Sequence, residues 1–251
     1  DINPAMIPGA PAALHGSLAV DASLAADEPS LGALSGTVEM PTVDVAVGDL
    51  AFAAAQPVRL AIANGLARIE QFSLSGSVGH LDVSGSTGLT GDGLNVDVDS
   101  QMNLAVFSAF APTIRSEGDL VANFTARGSA RAPNLQGTVS IADAVIAIDE
   151  PQIAAEHLAV KLSLDGPRAT LTQLSGQLNG GDLSGAGTIV LGGDLPDINL
   201  QLSAADVALS TPLDMRSVSE THLQVRSEKD AIAVDGTITI GRVQLTPDQK
   251  L

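Results

Sequence analysis

The chain has 251 residues and a formal charge of −17, from 29 acidic and 12 basic residues. That balance argues against nucleic acid or an anionic membrane surface as partner, since both need clustered Lys and Arg. Hydrophobic residues make up 45% but aromatics only 2%, with no Trp, Tyr or Cys, so the apolar content is Ala, Val, Leu and Ile, and no disulfide or thiolate-metal framework can form.

Residues 1–13 are rich in Pro and Ala and read as an irregular lead-in. Asp1-Ile2-Asn3-Pro4 begins no secretory signal and no apolar run is long enough to span a bilayer, so the chain reads as a fragment or processed product whose membrane anchor, if any, lies outside it. From Leu14 the text is strand-like. Leu34-Ser35-Gly36-Thr37-Val38-Glu39-Met40 is a glycine followed by alternating apolar and polar residues, the pattern of a strand with one apolar face.

That segment returns as Leu135-Gln136-Gly137-Thr138-Val139-Ser140-Ile141 and as Val234-Asp235-Gly236-Thr237-Ile238-Thr239-Ile240, at spacings of 101 residues (34 to 135) and 99 residues (135 to 234). Other segments recur at similar spacings, of 100 to 104 residues. Gly16–Asp21 matches Gly118–Asn123, and Pro57–Ile62, closed by Asn64-Gly65, matches Leu158–Leu164, closed by Asp165-Gly166. Both dipeptides favour tight hairpins. Leu74-Ser75-Gly76 recurs as Leu174-Ser175-Gly176, and Leu94–Val98 as Ile198–Leu202. Short helical turns are expected only at Phe107–Ile114 and Ser210–Val218; the remainder reads as strand and turn.

The expected architecture is all-β, with residues 14–251 forming one continuous segment of about two ~100-residue repeats. Each repeat is read as on the order of eight to ten strands, and about twenty strands at ~4.8 Å each would span on the order of 100 Å. Tight turns pair strands antiparallel and put the aliphatic set on one face. Such a sheet either closes as a sandwich over a sealed core or curls on itself and leaves an aliphatic trough. The candidate lining residues are Val38, Val96, Val98, Val139, Ile141, Leu158, Val160, Leu162, Ile198, Leu200, Leu202, Ile238 and Ile240. Phe107, Phe110 and Phe124 are candidates for narrowing the trough.

No catalytic, metal or cofactor constellation emerges. His15, His80, His157 and His222 lie apart without paired-ligand spacing, with His15 and His222 in expected strands. Asp92, Asp97 and Asp99 suggest calcium only weakly, because alternate positions on a strand lack a looped cage. No GxSxG elbow or phosphate-loop lysine occurs. An enzyme is not expected.

Three motifs carry a resemblance to a known family: Pro133-x-Leu135-x-Gly137-x-Val139, the turn Asp165-Gly166 followed by Ala169 and Leu171, and Leu174-x-Gly176-x-Leu178-x-Gly180-Gly181. In order and spacing they resemble the TamB family, the inner-membrane subunit of the translocation and assembly module, within the AsmA-like repeating β-groove group. Arg168 departs from the pattern of the turn. The resemblance covers nearly the whole chain from Leu14. It implies a periplasmic "β-taco" belonging to an inner-membrane-anchored protein, with a hydrophobic groove for phospholipid acyl chains. It also implies a TamA-like outer-membrane barrel as partner of the parent protein, and a role in phospholipid passage between the membranes or in outer-membrane protein assembly. The competing expectation is a structural or chaperone-like module that binds unfolded barrel strands by β-augmentation over a sealed core.

Overall fold

A computed structural model describes residues 14–47, 50–108, 111, 113–150, 152–192, 195–210, 215–228 and 231–245. The expected lead-in, residues 1–13, and Phe110 lie outside these. Alternation has its expected consequence: the protein is all-β, and every strand belongs to one antiparallel sheet of 16 strands.

The first repeat holds β1 (Leu14–Ala26), β2 (Leu34–Val47), β3 (Leu50–Ala54), β4 (Val58–Ala63), β5 (Leu66–Gln71), β6 (Ser73–Gly76), β7 (Gly79–Gly88) and β8 (Asp92–Asn103). The second holds β9 (Ile114–Ser129), β10 (Ala132–Ile148), β11 (Ile153–Gly166), β12 (Arg168–Leu178), β13 (Gly181–Val190) and β14 (Asp197–Ser210). A third begins with β15 (Met215–Glu228) and β16 (Ala231–Leu245). A 3-10 turn at Leu31–Ala33 and the short helix α1 (Ala105–Ser108) are the helical pieces among the described residues. Helix α1 overlaps one of the two places expected for a helical turn. In the other, 211–214 lie outside the described residues and Met215 already belongs to β15.

Spatial order follows chain order, with one local split. The far edge of β2 is shared by β4, which pairs along Gly36–Met40, and β3, which pairs along Asp44–Val47. Strand β5 continues from β4, β6 continues from β3, and both meet β7. Strands β3 and β4 therefore share the position that β11 fills alone in the second repeat, and β5 and β6 share that of β12. Each repeat is six strand positions wide; the first holds eight strands, within the expected eight to ten, and the second only six. Fourteen positions at ~4.8 Å spacing give a sheet roughly 60 Å across, shorter than the expected ~100 Å. The overcount arose because long strands that pass through an irregularity read as two. Strand β2 runs through Pro41, which sits between the ladder to β4, ending at Met40, and the ladder to β3, beginning at Asp44. At that gap its missing N–H costs no ladder bond to either strand.

The register repeats along with the sequence. Gly36 faces Leu24 and Ile62, Gly137 faces Phe124 and Leu164, and Gly236 faces Leu223. A side chain at this position has no room: a Cβ on Gly137 would meet the Asn123 carbonyl oxygen and lie 2.6 Å from Phe124 Cα. Its φ of +143° is also one that L side chains rarely adopt. The glycine thus lets the second strand of each repeat press close to the first.

Hairpin chemistry is as expected at Asn64-Gly65, where both residues have positive φ and Ala63 pairs with Leu66. At the matching site Asp165 is not in the loop. It pairs with Arg168, and Gly166-Pro167 makes the turn with only Gly166 at positive φ. Both loops are two residues long and the strands around them match at an offset of 102 (Leu60 with Leu162, Ile69 with Leu171), so Gly166-Pro167 stands where Asn64-Gly65 does and Asp165 where Ala63 does.

A line of bulges crosses the sheet. Asp143 in β10, His157 in β11 and Asp206 in β14 have positive φ, and each lies inside a register shift. Bulges bend strands, and here they bring together residues from either side of the bend. Leu104, Ala144 and Leu158 form a buried cluster against Ile141, Ile146, Ala155 and Leu174. In the first repeat the same bend is the gap between β3 and β4. The sheet is therefore curled, with its small core at the bend.

Candidate functional site: the aliphatic inner face

Residues directly opposite each other on antiparallel strands share a face, so register alone sorts the side chains. One ladder runs Leu74–Leu81–Ser100–Ala122–Val139–Leu162–Leu171–Gly187–Leu200–Val225–Val234, crossing eleven strands from β6 to β16. A second runs Val38–Leu60–Ile69–Gly85–Val96–Ala126–Leu135. A third runs Val83–Val98–Phe124–Gly137–Leu164–Ala169–Ile189–Ile198. On the same face, Ile141 pairs with Val160 and Leu202 with Leu223 two residues along, and Ile238 with Thr221 four residues along.

Register places all thirteen candidate residues on this one face. Ten are half-buried, Leu158 is buried in the bend cluster, and Ile238 and Ile240 are 59% and 58% exposed. Phe124 lies in the third ladder opposite Gly137, and Phe107 sits on α1 and is exposed. The residues that sequence reasoning missed, such as Leu60, Ile69, Leu81, Leu171 and Val225, obey the same alternation and follow once the pairing is known. Ser100 is the polar member of the longest ladder. Buried there, it donates to the His80 carbonyl at 3.0 Å, so its hydroxyl is not left unsatisfied against the aliphatic wall.

The opposite face is polar along the same strands. Glu39 meets Arg59 at 3.2 Å, and Arg226 meets Asp235 at 2.8 Å. Beside them lie Thr138, Ser163, Thr170, Thr188 and Asn199, joined in one cross-strand row. These ion pairs are exposed and each contributes at most about 1 kcal/mol. Their value is in marking which side faces water.

Pairing of β7 with β8 sets Asp82 opposite Asp99 and brings His80 Nε2 to 3.2 Å from Asp99 Oδ1, which a reading of His80 as isolated did not anticipate. The ligand atoms of His80, Asp82 and Asp99 lie within 4.8 Å of one another. Asn123 also donates to Asp99 Oδ2 at 2.7 Å. A depression of about 500 Å³ is lined by Asp82, Asp97 and Asp99 together with Phe72, Val83, Val98 and Phe124, among others. His157 Nδ1–H donates to Asp143 Oδ1 at 2.8 Å where two bulges face each other. The Asp143 hydrogen bond, and then its charge, raise the pKa of His157 above the ordinary value. No helix among the described residues is long and apolar enough to cross a membrane. No protein-family model, curated protein or solved structure matches the chain.

Proposed function

We propose that this chain is the periplasmic groove segment of a TamB-like protein, and that its aliphatic face holds phospholipid acyl chains in transit between the inner and outer membranes. The observation that carries this reading is the eleven-residue ladder of almost wholly aliphatic and small residues, backed by a polar outer face. An acyl chain spans roughly half of the ~30 Å hydrocarbon layer of a bilayer. Ten inter-strand steps of ~4.8 Å give about 48 Å of apolar wall, enough for several chains end to end. The near absence of aromatics suits a ligand without fixed shape, since uniform aliphatic walls bind by area and not by specific geometry.

In this reading the groove is a carrier surface and not an enzyme. The same surface supports outer-membrane protein assembly through the parent protein, whose partner is a TamA-like barrel. The motif resemblance set out above adds to the geometric support.

Neighbouring residues on one strand point to opposite faces, which supplies the test. A photo-reactive amino acid at Leu200 or Leu162 should crosslink to phospholipid in cells that make the parent protein. The same probe at Gln201 or Ser163 should not. Equal labelling from both faces, or none from either, would overturn the reading.

A further inference from the structure

The dipeptide Asn-Gly occurs twice in the chain, at Asn64-Gly65 and at Asn179-Gly180. An asparagine in this setting is open to attack by its own main chain, because a glycine after it leaves the next backbone nitrogen unscreened by any side chain. Both copies make the same two-residue turn. Ala63 pairs with Leu66 across the first, and Leu178 with Gly181 across the second. The φ values are +50° and +73° at Asn64-Gly65 and +46° and +80° at Asn179-Gly180. Sequence and backbone are matched, and the surroundings of the side chain differ.

Asn179 is half-buried and held at every polar atom. Its N–H donates to the Ala154 carbonyl at 2.7 Å, and its Oδ1 accepts the Ala154 N–H at 2.7 Å. Its Nδ2 donates to the Gln152 carbonyl at 3.3 Å, and its own carbonyl accepts the Ala208 N–H at 3.3 Å. Turning this side chain onto Gly180 N would leave the Ala154 N–H without its acceptor, which is costly away from water. Asn64 is exposed, and its side chain has no hydrogen-bond partner among the described residues, which include the loops on either side of it at 31–33 and 89–91. Beyond the strand ladder, the bond that ties this turn down is the Leu89 N–H to the Gly65 carbonyl, at 2.8 Å. It leaves the Gly65 nitrogen untouched.

We propose that Asn64 is a site of spontaneous deamidation, and that Asn179, in the same dipeptide and the same turn, is protected by its bonds. Hydroxide from solvent takes the Gly65 amide proton, and the nitrogen attacks Cγ of Asn64. The Cγ–Nδ2 bond breaks, Nδ2 leaves as ammonia, and a succinimide ring closes. Water then opens the ring. Cleavage of the bond from nitrogen to Cγ leaves an aspartate at position 64. Cleavage of the bond from nitrogen to the main-chain carbonyl carbon leaves an isoaspartyl linkage that runs through Cβ. The net change is water consumed and ammonia released, with no redox step. The iso linkage adds a carbon to the main chain of a two-residue turn, so the Ala63–Leu66 pair no longer closes over it. Strands β4 and β5 have six residues each, and they carry Leu60 and Ile69 of the aliphatic wall. The inference does not depend on the lipid reading.

The test ages the full chain in mildly alkaline buffer, folded and in denaturant. Mass spectrometry follows peptides containing each asparagine, with aspartyl and isoaspartyl forms separated by chromatography. In the folded chain, conversion should be at least tenfold faster at Asn64 than at Asn179, and in denaturant the gap should close. Asn64→Gln should remove the fast product, because the longer side chain forms its ring far more slowly. In the isoaspartyl fraction, the β4 and β5 amides should exchange hydrogen at least tenfold faster, with β11 and β12 unchanged. Equal conversion of the two asparagines in the folded chain, faster conversion at Asn179, or no conversion at Asn64 while the denatured chain converts would each overturn the proposal. So would a gap that survives in denaturant, or unchanged exchange at β4 and β5.

Discussion

Gly137→Ala is the sharpest test of how the sheet curls. The added methyl would meet the Asn123 carbonyl oxygen and come within 2.8 Å of Phe124 Cβ. Strand β10 cannot move aside, because Gly137 is held between Phe124 of β9 and Leu164 of β11. Overpacking of this kind costs about 1–3 kcal/mol. Holding an alanine at a φ of +143° costs about 1–3 kcal/mol more. The expected loss is therefore about 2–6 kcal/mol, localised at β9–β11. Gly166→Ala isolates the backbone part, because that turn glycine has φ +63° and nothing within 4 Å of a Cβ. It should cost about 1 kcal/mol. Gly236→Ala lies between the two, since among the described residues β16 pairs with β15 alone, and the Leu223 side chain that a Cβ would meet can shift.

Repeat arrays unfold without full cooperativity, so a global midpoint would blur these differences. Native-state hydrogen exchange read strand by strand is the proper assay. At about 1.4 kcal/mol per tenfold, Gly137→Ala should speed exchange at least 25-fold in β9–β11. A loss for Gly137→Ala no greater than for Gly166→Ala would refute the close-approach argument. The repeated glycine would then be a mark of ancestry and not a requirement of shape.

Other substitutions probe the face and the bend separately. Leu158→Ala removes a buried member of the bend cluster and should cost about 2–5 kcal/mol, read as faster exchange of β10 and β11 amides near Asp143 and His157. Leu200→Asp should leave the sheet folded by circular dichroism, because Leu200 is half-buried on the inner wall, while phospholipid co-purifying with the protein, measured by mass spectrometry, falls severalfold. Complete unfolding would point to a sealed core, where a lone charge is far more costly. For His157 the sign follows from its raised pKa. The pairing with Asp143 is fully present below the ordinary histidine value and is lost as pH rises through the raised one. An NMR titration of His157 should show the raised midpoint, and Asp143→Asn should return it towards 6.5.

Face assignment was legible in the sequence, and the bend was not. Alternation is a local property, so Val139 and Ile141 declare their shared face without knowledge of their neighbours. The ~100-residue repeat then brings distant strands into phase, which is why thirteen residues chosen from pattern alone fall on one side of a sheet. Bulges offer no comparable signal. Asp143 and His157 are ordinary polar residues in strand-like text, and their positive φ is imposed by two facing strands that must bend together. In the first repeat the same bend is achieved by breaking the strand between β3 and β4, so comparing the copies shows a conserved shape reached by different means. The strand count of the second repeat and the length of the sheet went wrong at this point, because a reader of one strand cannot distinguish a bulge from a turn.

Leu158 shows the consequence for function. By pattern it is one more wall residue, equivalent to Val160 and Leu162, yet its position beside the His157 bulge makes it core. The bend thus takes up some aliphatic residues to hold the curl, while Val160 and Leu162 further along β11 stay half-buried and Leu164 beside the hairpin is buried. If that division is correct, stability and ligand binding are separable along a single strand: Leu158 variants should lose the first, and Leu162 variants the second. A sealed sandwich would not permit that separation, because every residue of the ladder would then answer to both.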